Sequence, residues 1–262
     1  MEKEGKVALA IATKDMKEAF SSIDIYGPML GIPLFFAILL PIFTIYVSQY
    51  AGLQIAERIL GPIAVSQTGT LNKLVFIKYF VTNVLGPIFL TMPVITASVL
   101  AADSFAGEKE RKTAEALLVA PIKNSDLFFG KILASALPAF LITLAVFAIY
   151  ALIINYFTLG SYGVALFPNA TWLLMLADSP LLILTTIGLV VVISSRVKGI
   201  KEAQQISALI ALPIFLMPFI AVFNIFSFSA VFFGILFVVL ALICFAILFT
   251  GIKKFNRESM IT

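Results

Sequence analysis

Long apolar runs, parted by short polar stretches, set the pattern of this chain. Six of them lie at about residues 28–49, 80–102, 132–157, 172–194, 206–226 and 228–250. Each is close to the roughly 20 residues an α-helix needs to cross about 30 Å of hydrocarbon. Barrel strands are about 10 residues long and alternate apolar with polar positions; these runs are twice that and uniformly apolar. An isolated span must also satisfy its own backbone hydrogen bonds. The pattern therefore predicts an all-α membrane protein with six transmembrane helices. Spans five and six are separated by almost nothing and form a tight helical hairpin.

Ahead of the first run, residues 1–25 are polar and then amphipathic. Leu9, Ala12, Met16, Phe20 and Ile23 recur at helical spacing and draw one apolar stripe. Lys14, Lys17 and Glu18 fall off it, with Lys14 and Glu18 spaced as an i,i+4 pair. This predicts an N-terminal amphipathic helix lying in the membrane interface, against the alternative of a helix packed on the rest of the protein. Three parts result: residues 1–25, a six-helix domain over 26–252, and a tail over 253–262.

Composition agrees. Of 262 residues, 61% are hydrophobic and 12% charged, with mean hydropathy +1.09. A soluble chain is nearer 45–50% apolar, so the excess belongs in a bilayer. Cys244 is the single cysteine, which rules out an intrachain disulfide. There is no histidine. That removes His-based zinc sites, Ser-His and Cys-His nucleophiles and His-Glu-x-x-His proteases, so the chain is read as non-catalytic. The net charge of +4 suggests no nucleic-acid partner.

Charge does fix an orientation. Fifteen of the eighteen Lys and Arg fall in the N-terminal segment, the 103–131 and 195–205 loops and the C-terminal tail; the other three, Arg58, Lys73 and Lys78, lie in the 50–79 loop. The excess marks the cytoplasmic side, so both termini are expected in the cytoplasm. The 50–79 and 158–171 loops then face outward. Ile55, Ile59, Leu60 and Ile63 form a short external helix or simply cap that face. Asn169-Ala-Thr171 matches a glycosylation acceptor there.

Prolines 33, 41, 87, 93, 138, 180, 213 and 218 punctuate the spans, either as kinks or as ordinary membrane-helix composition. Asp178, in Leu-Ala-Asp-Ser-Pro, lies one or two turns inside span four. As an intramembrane carboxylate it is a candidate for the substrate path, with a helix-end or kink role as the alternative. Asp103 and Lys131 sit at membrane boundaries with water in reach. No charge stands at the middle of any span, which argues against ion coupling and for a separate motor. None is encoded here. A phosphate-binding loop needs Gly-x-x-x-x-Gly-Lys-Ser/Thr. Around Gly130-Lys131 the first glycine is Ser125 and the last position is Ile132.

The densest charged stretch is the loop between spans two and three, where Glu108 to Lys112 are all ionisable. From Glu108 onward strong helix formers follow one another. Glu108 and Glu110 complement a helix N-terminus. Ala114, Leu117 and Leu118 share a face, and Pro121 ends the helix. Asn124-Ser125-Asp126 reads as the cap of span three. On physics alone, this helix docks a partner or merely connects two spans.

Gly107-Glu108-Lys109-Glu110-Arg111-Lys112-Thr113-Ala114-Glu115-Ala116-Leu117-Leu118, then Pro121 and Gly130-Lys131, resembles the loop of type-2 ATP-binding cassette (ABC) transporter permeases. Ala114 stands where that family often has Leu. The Lys14-Asp15-Met16-Lys17-Glu18 helix and the Arg196–Gln205 loop also resemble family segments, as do the size, six spans and cytoplasmic termini. The resemblance implies two permeases paired in the plasma membrane, each carrying an ATP-binding subunit that holds ATP and Mg, so the chain itself needs no cofactor. It implies export, with a cytoplasmic coupling helix over 107–121. Gly107, Glu108, Lys109, Glu110, Arg111, Thr113, Glu115, Leu117, Leu118 and Pro121 are the candidate ATPase-coupling residues. The second reading is a non-transport assembly protein whose loop docks another partner.

Overall fold

The computed structural model describes residues 2–50, 69–111, 123–194, 199–209, 211–222 and 228–254. Within them the helices are α1 (Glu2–Ser21), α2 (Ile23–Tyr50), α3 (Gly69–Phe80), α4 (Gly86–Ala102), the single turn α5 (Glu108–Glu110), α6 (Asn124–Tyr162), α7 (Ala170–Ser194), α8 (Ile200–Ala208), α9 (Ala211–Val222) and α10 (Ala230–Lys254). Six stretches are long and apolar enough to cross a membrane: Ile23–Gln49, Lys73–Gly107, Ser125–Tyr162, Ala170–Ile193, Ile200–Ile220 and Ala230–Ile247. They run alternately between the end of the bundle that carries α1 and the far end.

The helices outrun the apolar windows that announce them. The helix of span three covers 39 residues, about 58 Å at 1.5 Å per residue, so it projects well past a 30 Å core. Span two begins near Lys73, about two turns earlier than its apolar run. Charged and polar residues in Lys73–Tyr79 and Asn124–Lys131 lower the hydropathy of these helix starts, so hydropathy alone does not mark them. The proposed short helix at residues 55–63 lies outside the described residues, as does most of the turn between spans five and six.

Span two is the axis of the bundle: most of it is enclosed, whereas spans one and six bury little of their surface. α4 packs against α2, α6, α7 and α9, and α7 is held between α4 and α10. Two π-helical turns, Val81–Leu85 and Asp103–Gly107, flank α4. The first has a local cause. Pro87 has no N–H and its ring crowds the carbonyl four residues back; the wider turn relieves this, and the Gly86 N–H bonds to Val81 O instead.

Side-chain amides staple the far end. Asn83 Oδ1 accepts the Phe228 N–H at 2.6 Å, which ties span two to the entry of α10. Asn155 Oδ1 accepts the N–H groups of Leu166 and Phe167 at 3.0 and 2.9 Å, and its Nδ2 donates to Phe167 O at 2.8 Å. One side chain thereby holds the whole α6–α7 connection. Asn169 caps α7 through the Trp172 N–H at 3.0 Å. Trp172, fully buried, closes this end against Phe89, Phe147, Tyr150 and Phe167, with ring centroids 4.9–5.9 Å apart.

Replacing Asn155 by Ala strands two backbone N–H groups and one carbonyl. We expect a loss of about 2–3 kcal/mol, read as a lower unfolding temperature of the detergent-purified protein. Asn155→Asp keeps both acceptor bonds but sets a carboxylate oxygen against the Phe167 carbonyl, so it should recover only part of the loss. Wild-type unfolding of the Ala variant would show that this amide does not hold the connection.

Candidate functional site

At the α1 end, charged side chains from four elements meet around one lysine. Lys131, in the second turn of α6, is fully buried. Its Nζ lies 2.8 Å from Glu108 Oε1 and 3.8 Å from Asp15 Oδ2, donates to the Ser104 carbonyl, and stands 5.4 Å from the centre of the Phe105 ring. The Ser104 hydroxyl donates to Asp15 at 2.9 Å. Arg111, half exposed, spans the rim, with 2.5 Å contacts to Asp103 in the π turn and to Glu18 on α1. Lys14 closes the outer side against Asp15 and Glu18 at 3.4 and 3.7 Å.

The sequence expectation that Asp103 and Lys131 reach water is corrected here. Asp103 is 6% exposed and Lys131 0%. The reason is α1. It lies across the start of α6 instead of leaving that surface open, and Gly130 permits the approach: a Cβ there would stand 2.8 Å from the Ala8 carbonyl and 2.9 Å from Ile11 Cβ. The face that α1 turns to the protein is Ala12, Asp15 and Ala19. Of the stripe drawn by hydrophobic periodicity, Ala12 is on this buried face, whereas Leu9, Phe20 and Ile23 are exposed. Small residues and one acid mark the buried face, and apolar periodicity ranks neither.

The coupling candidates divide. Glu108 is inside the cluster. Glu110 is exposed, yet its Oε2 accepts the Ile200 N–H at 2.8 Å and so caps α8. A Cβ on Gly199 would stand 2.8 Å from the same oxygen, which explains glycine there. Gly107 is buried beside Asp103 and Ile200. Arg111 joins α1 to span two. Lys109 belongs to α5. Thr113, Glu115, Leu117, Leu118 and Pro121 lie outside the described residues. The structure therefore brings together the root of the charged loop and adds four residues that sequence reasoning left out of the site: Asp15, Asp103, Ser104 and Lys131. The signal available for them was their charge or polarity at helix ends.

Electrostatics inside the cluster are finely opposed. Burial pushes the Glu108 carboxyl above its ordinary value, and the Lys131 charge beside it pulls the other way without overcoming it. Burial lowers the Lys14 ammonium, but the carboxylates of Asp15, Glu108 and Glu18 outweigh it and the net direction is up. A buried ion pair repays its desolvation only with good geometry. Removing one member is costly because the others stay buried and unpaired.

Asp178 is elsewhere. It is fully buried in α7, about 12 Å from the start of that helix by a rise of 1.5 Å per residue. Neither carboxyl oxygen has a hydrogen-bond partner among the described residues. A cavity of about 420 Å³ opens at the far end between the starts of spans two and four, lined by Lys78, Tyr79, Thr82, Asn83, Asn169 and Thr171; Asp178 does not line it.

Lys131→Met should cost about 3–5 kcal/mol, because it takes the nearest counter-charge from the buried Glu108. Combining it with Glu108→Gln should recover part of that loss. Arg111→Ala, at the half-exposed rim, should cost about 1 kcal/mol or less. Denaturant unfolding of the purified variants measures all three, and an unfolding curve for Lys131→Met that overlays the wild type would refute the cluster.

Comparison with known proteins places the chain. The family model described as "ABC-2 family transporter protein" matches residues 53–231, more than half of the chain, including the charged loop and the cluster members Asp103, Ser104, Glu108, Arg111 and Lys131. The ABC transporter permease protein NatB of Bacillus subtilis (strain 168) is 32% identical over 143 residues, which are 52% of this chain and 36% of that protein. The chain thus aligns with little more than a third of that relative's length. No solved structure matches. Six apolar helices, a charged loop rooted in span two, and a family match that spans both identify the chain as a member of the ABC-2 family of transporter proteins.

Proposed function

We propose that this chain is the membrane-spanning permease subunit of an ABC transporter, driven by ATP hydrolysis in a separate ATPase docked on residues 107–121. The observation that carries the proposal is the coincidence of the family match with the root of that segment. Gly107 to Arg111 are tied to α1, span two, span three and span five at one end of the bundle. A partner pulling there acts on the whole bundle. The direction is export, and the working unit is two permeases with two ATPases in the plasma membrane, with ATP and Mg held by the ATPases.

Both termini and the α1 end of the bundle face the cytoplasm in this reading, as the distribution of Lys and Arg requires. α1 lies in the interface. Its exposed Leu9 and Phe20, with Ile23 at the start of α2, meet lipid while Ala12, Asp15 and Ala19 meet the protein. Asp178 is a candidate for the transport path: a carboxyl enclosed without a partner is costly in its charged form, so a site that retains it has a use for it.

Two experiments test this. Leu117→Glu combined with Leu118→Glu should abolish co-purification of a co-expressed ATP-binding cassette ATPase and its permease-dependent stimulation. If both survive, 107–121 is not the docking segment. With Cys244 replaced by Ser, Lys109→Cys and Ala165→Cys should react with an impermeant maleimide from opposite sides of the membrane. Labelling from one side overturns the orientation.

A further inference from the structure

The ion cluster links segments far apart in the chain. Asp15 and Ser104 are 89 residues apart, Glu18 and Arg111 are 93, and Glu110 and Ile200 are 90. Seven hydrogen bonds or ion pairs converge on a stretch of eight residues, 104–111, and on Lys131. The packing beside them has little slack. Gly130 puts α1 backbone against α6, and a Cβ on Gly107 would meet Asp103 Oδ1 at 3.0 Å and Ile200 Cδ1 at 3.3 Å.

Stability does not account for such a cluster. Apolar residues of similar volume hold helices together as well as a buried ion pair, or better. What the ions add is directional: the Lys131 ammonium donates to Glu108 and to a carbonyl in the π turn, and pairs at 3.8 Å with the Asp15 carboxylate on α1. The Ser104 carbonyl and hydroxyl are both used, one by Lys131 and one by Asp15. The π turn is where span two departs from regular α geometry, and it is there that Asp103, Ser104 and Gly107 converge on the cluster.

We infer that Lys131 is a positioning residue that fastens α1 to the root of the 107–121 segment through Asp15, so that α1, the end of span two and the start of span three move as one body when that segment is displaced. The inference rests on the docking reading above for the source of the displacement. The fastening itself does not.

The test separates the two. In a Cys244→Ser background, Ala12→Cys reports whether the buried face of α1 stays closed, read as the rate of maleimide labelling in native membranes without any ATPase. The reporter should be protected. Asp15→Asn and Lys131→Met should each raise the rate by about tenfold or more, as a local opening would, and Lys131→Arg should keep it near the protected rate. Reconstituted with the ATPase, Asp15→Asn should still retain it in co-purification, while permease-stimulated hydrolysis falls by about fivefold; Lys131→Arg should keep most of that stimulation. Unchanged labelling in both Asp15→Asn and Lys131→Met overturns the fastening. Opened labelling with undiminished stimulated hydrolysis overturns its part in coupling. If the labelling follows the expectation but the wild type stimulates no ATPase, the docking reading falls and the fastening of α1 stands.

Discussion

A lysine ammonium with no exposed surface is the constraint around which the α1 end of this bundle is arranged. Lys131 stands eight residues into a membrane-spanning helix, where an isolated charge is not tolerated. Every feature nearby answers to it. Glu108 supplies the nearest counter-charge and Asp15 a second one. The Ser104 carbonyl takes a further donor. Asp15 is on α1, so α1 must lie across α6, and Gly130 lets it do so. Once α1 is there, Glu18 is in reach of Arg111, and Arg111 closes the rim over Asp103. Fold and candidate site are one construction at this end.

The far end is built differently. No ion pair among the described residues orders it. Neutral amides do the fastening, through Asn83, Asn155 and Asn169, and an aromatic cluster around Trp172 fills the space between spans two, three and four. The contrast suits the proposed docking, in which an ATPase acts at the α1 end and charged, directional links carry the displacement between helices. Amide staples close short connections over a core held by dispersion and burial.

The spans were legible because the bilayer leaves the backbone few choices. A run of about 20 apolar residues must be a helix, and six such runs in this chain became six helices. The charged loop was legible because five adjacent ionisable residues stand out in a chain with 12% charge. What the sequence hid is pairing. Periodicity reports which residues share a face but not what that face meets. Leu9, Ala12, Met16, Phe20 and Ile23 read as one stripe, set in the interface or packed on the protein, yet Ala12 is buried with Asp15 and Ala19 while Leu9, Phe20 and Ile23 are exposed. Glu108 and Glu110 both read as charges offered to a partner. One is enclosed with Lys131 and the other caps α8 about ninety residues away, and no local pattern encodes either contact.

These positions also recast what a charged loop is for. A solvated helix that only bound a partner would need its charges outward and its root free to bend. Here the root is the least free part. Glu108 and Asp103 point into the bundle, and Arg111 and Glu110 bridge to α1 and α8. In the proposed docking, the residues that meet the ATPase are those beyond Arg111, with Leu117 and Leu118 as the apolar contact that an interface core favours. On that proposal binding and transmission are divided along the sequence: the distal half of the segment grips, and the proximal half is tied to the helices it would move. That division explains why acids so close together in one charged run have opposite surroundings. It also explains why the most consequential residue of the site is a lysine that reads, in sequence, as an ordinary membrane-boundary cation.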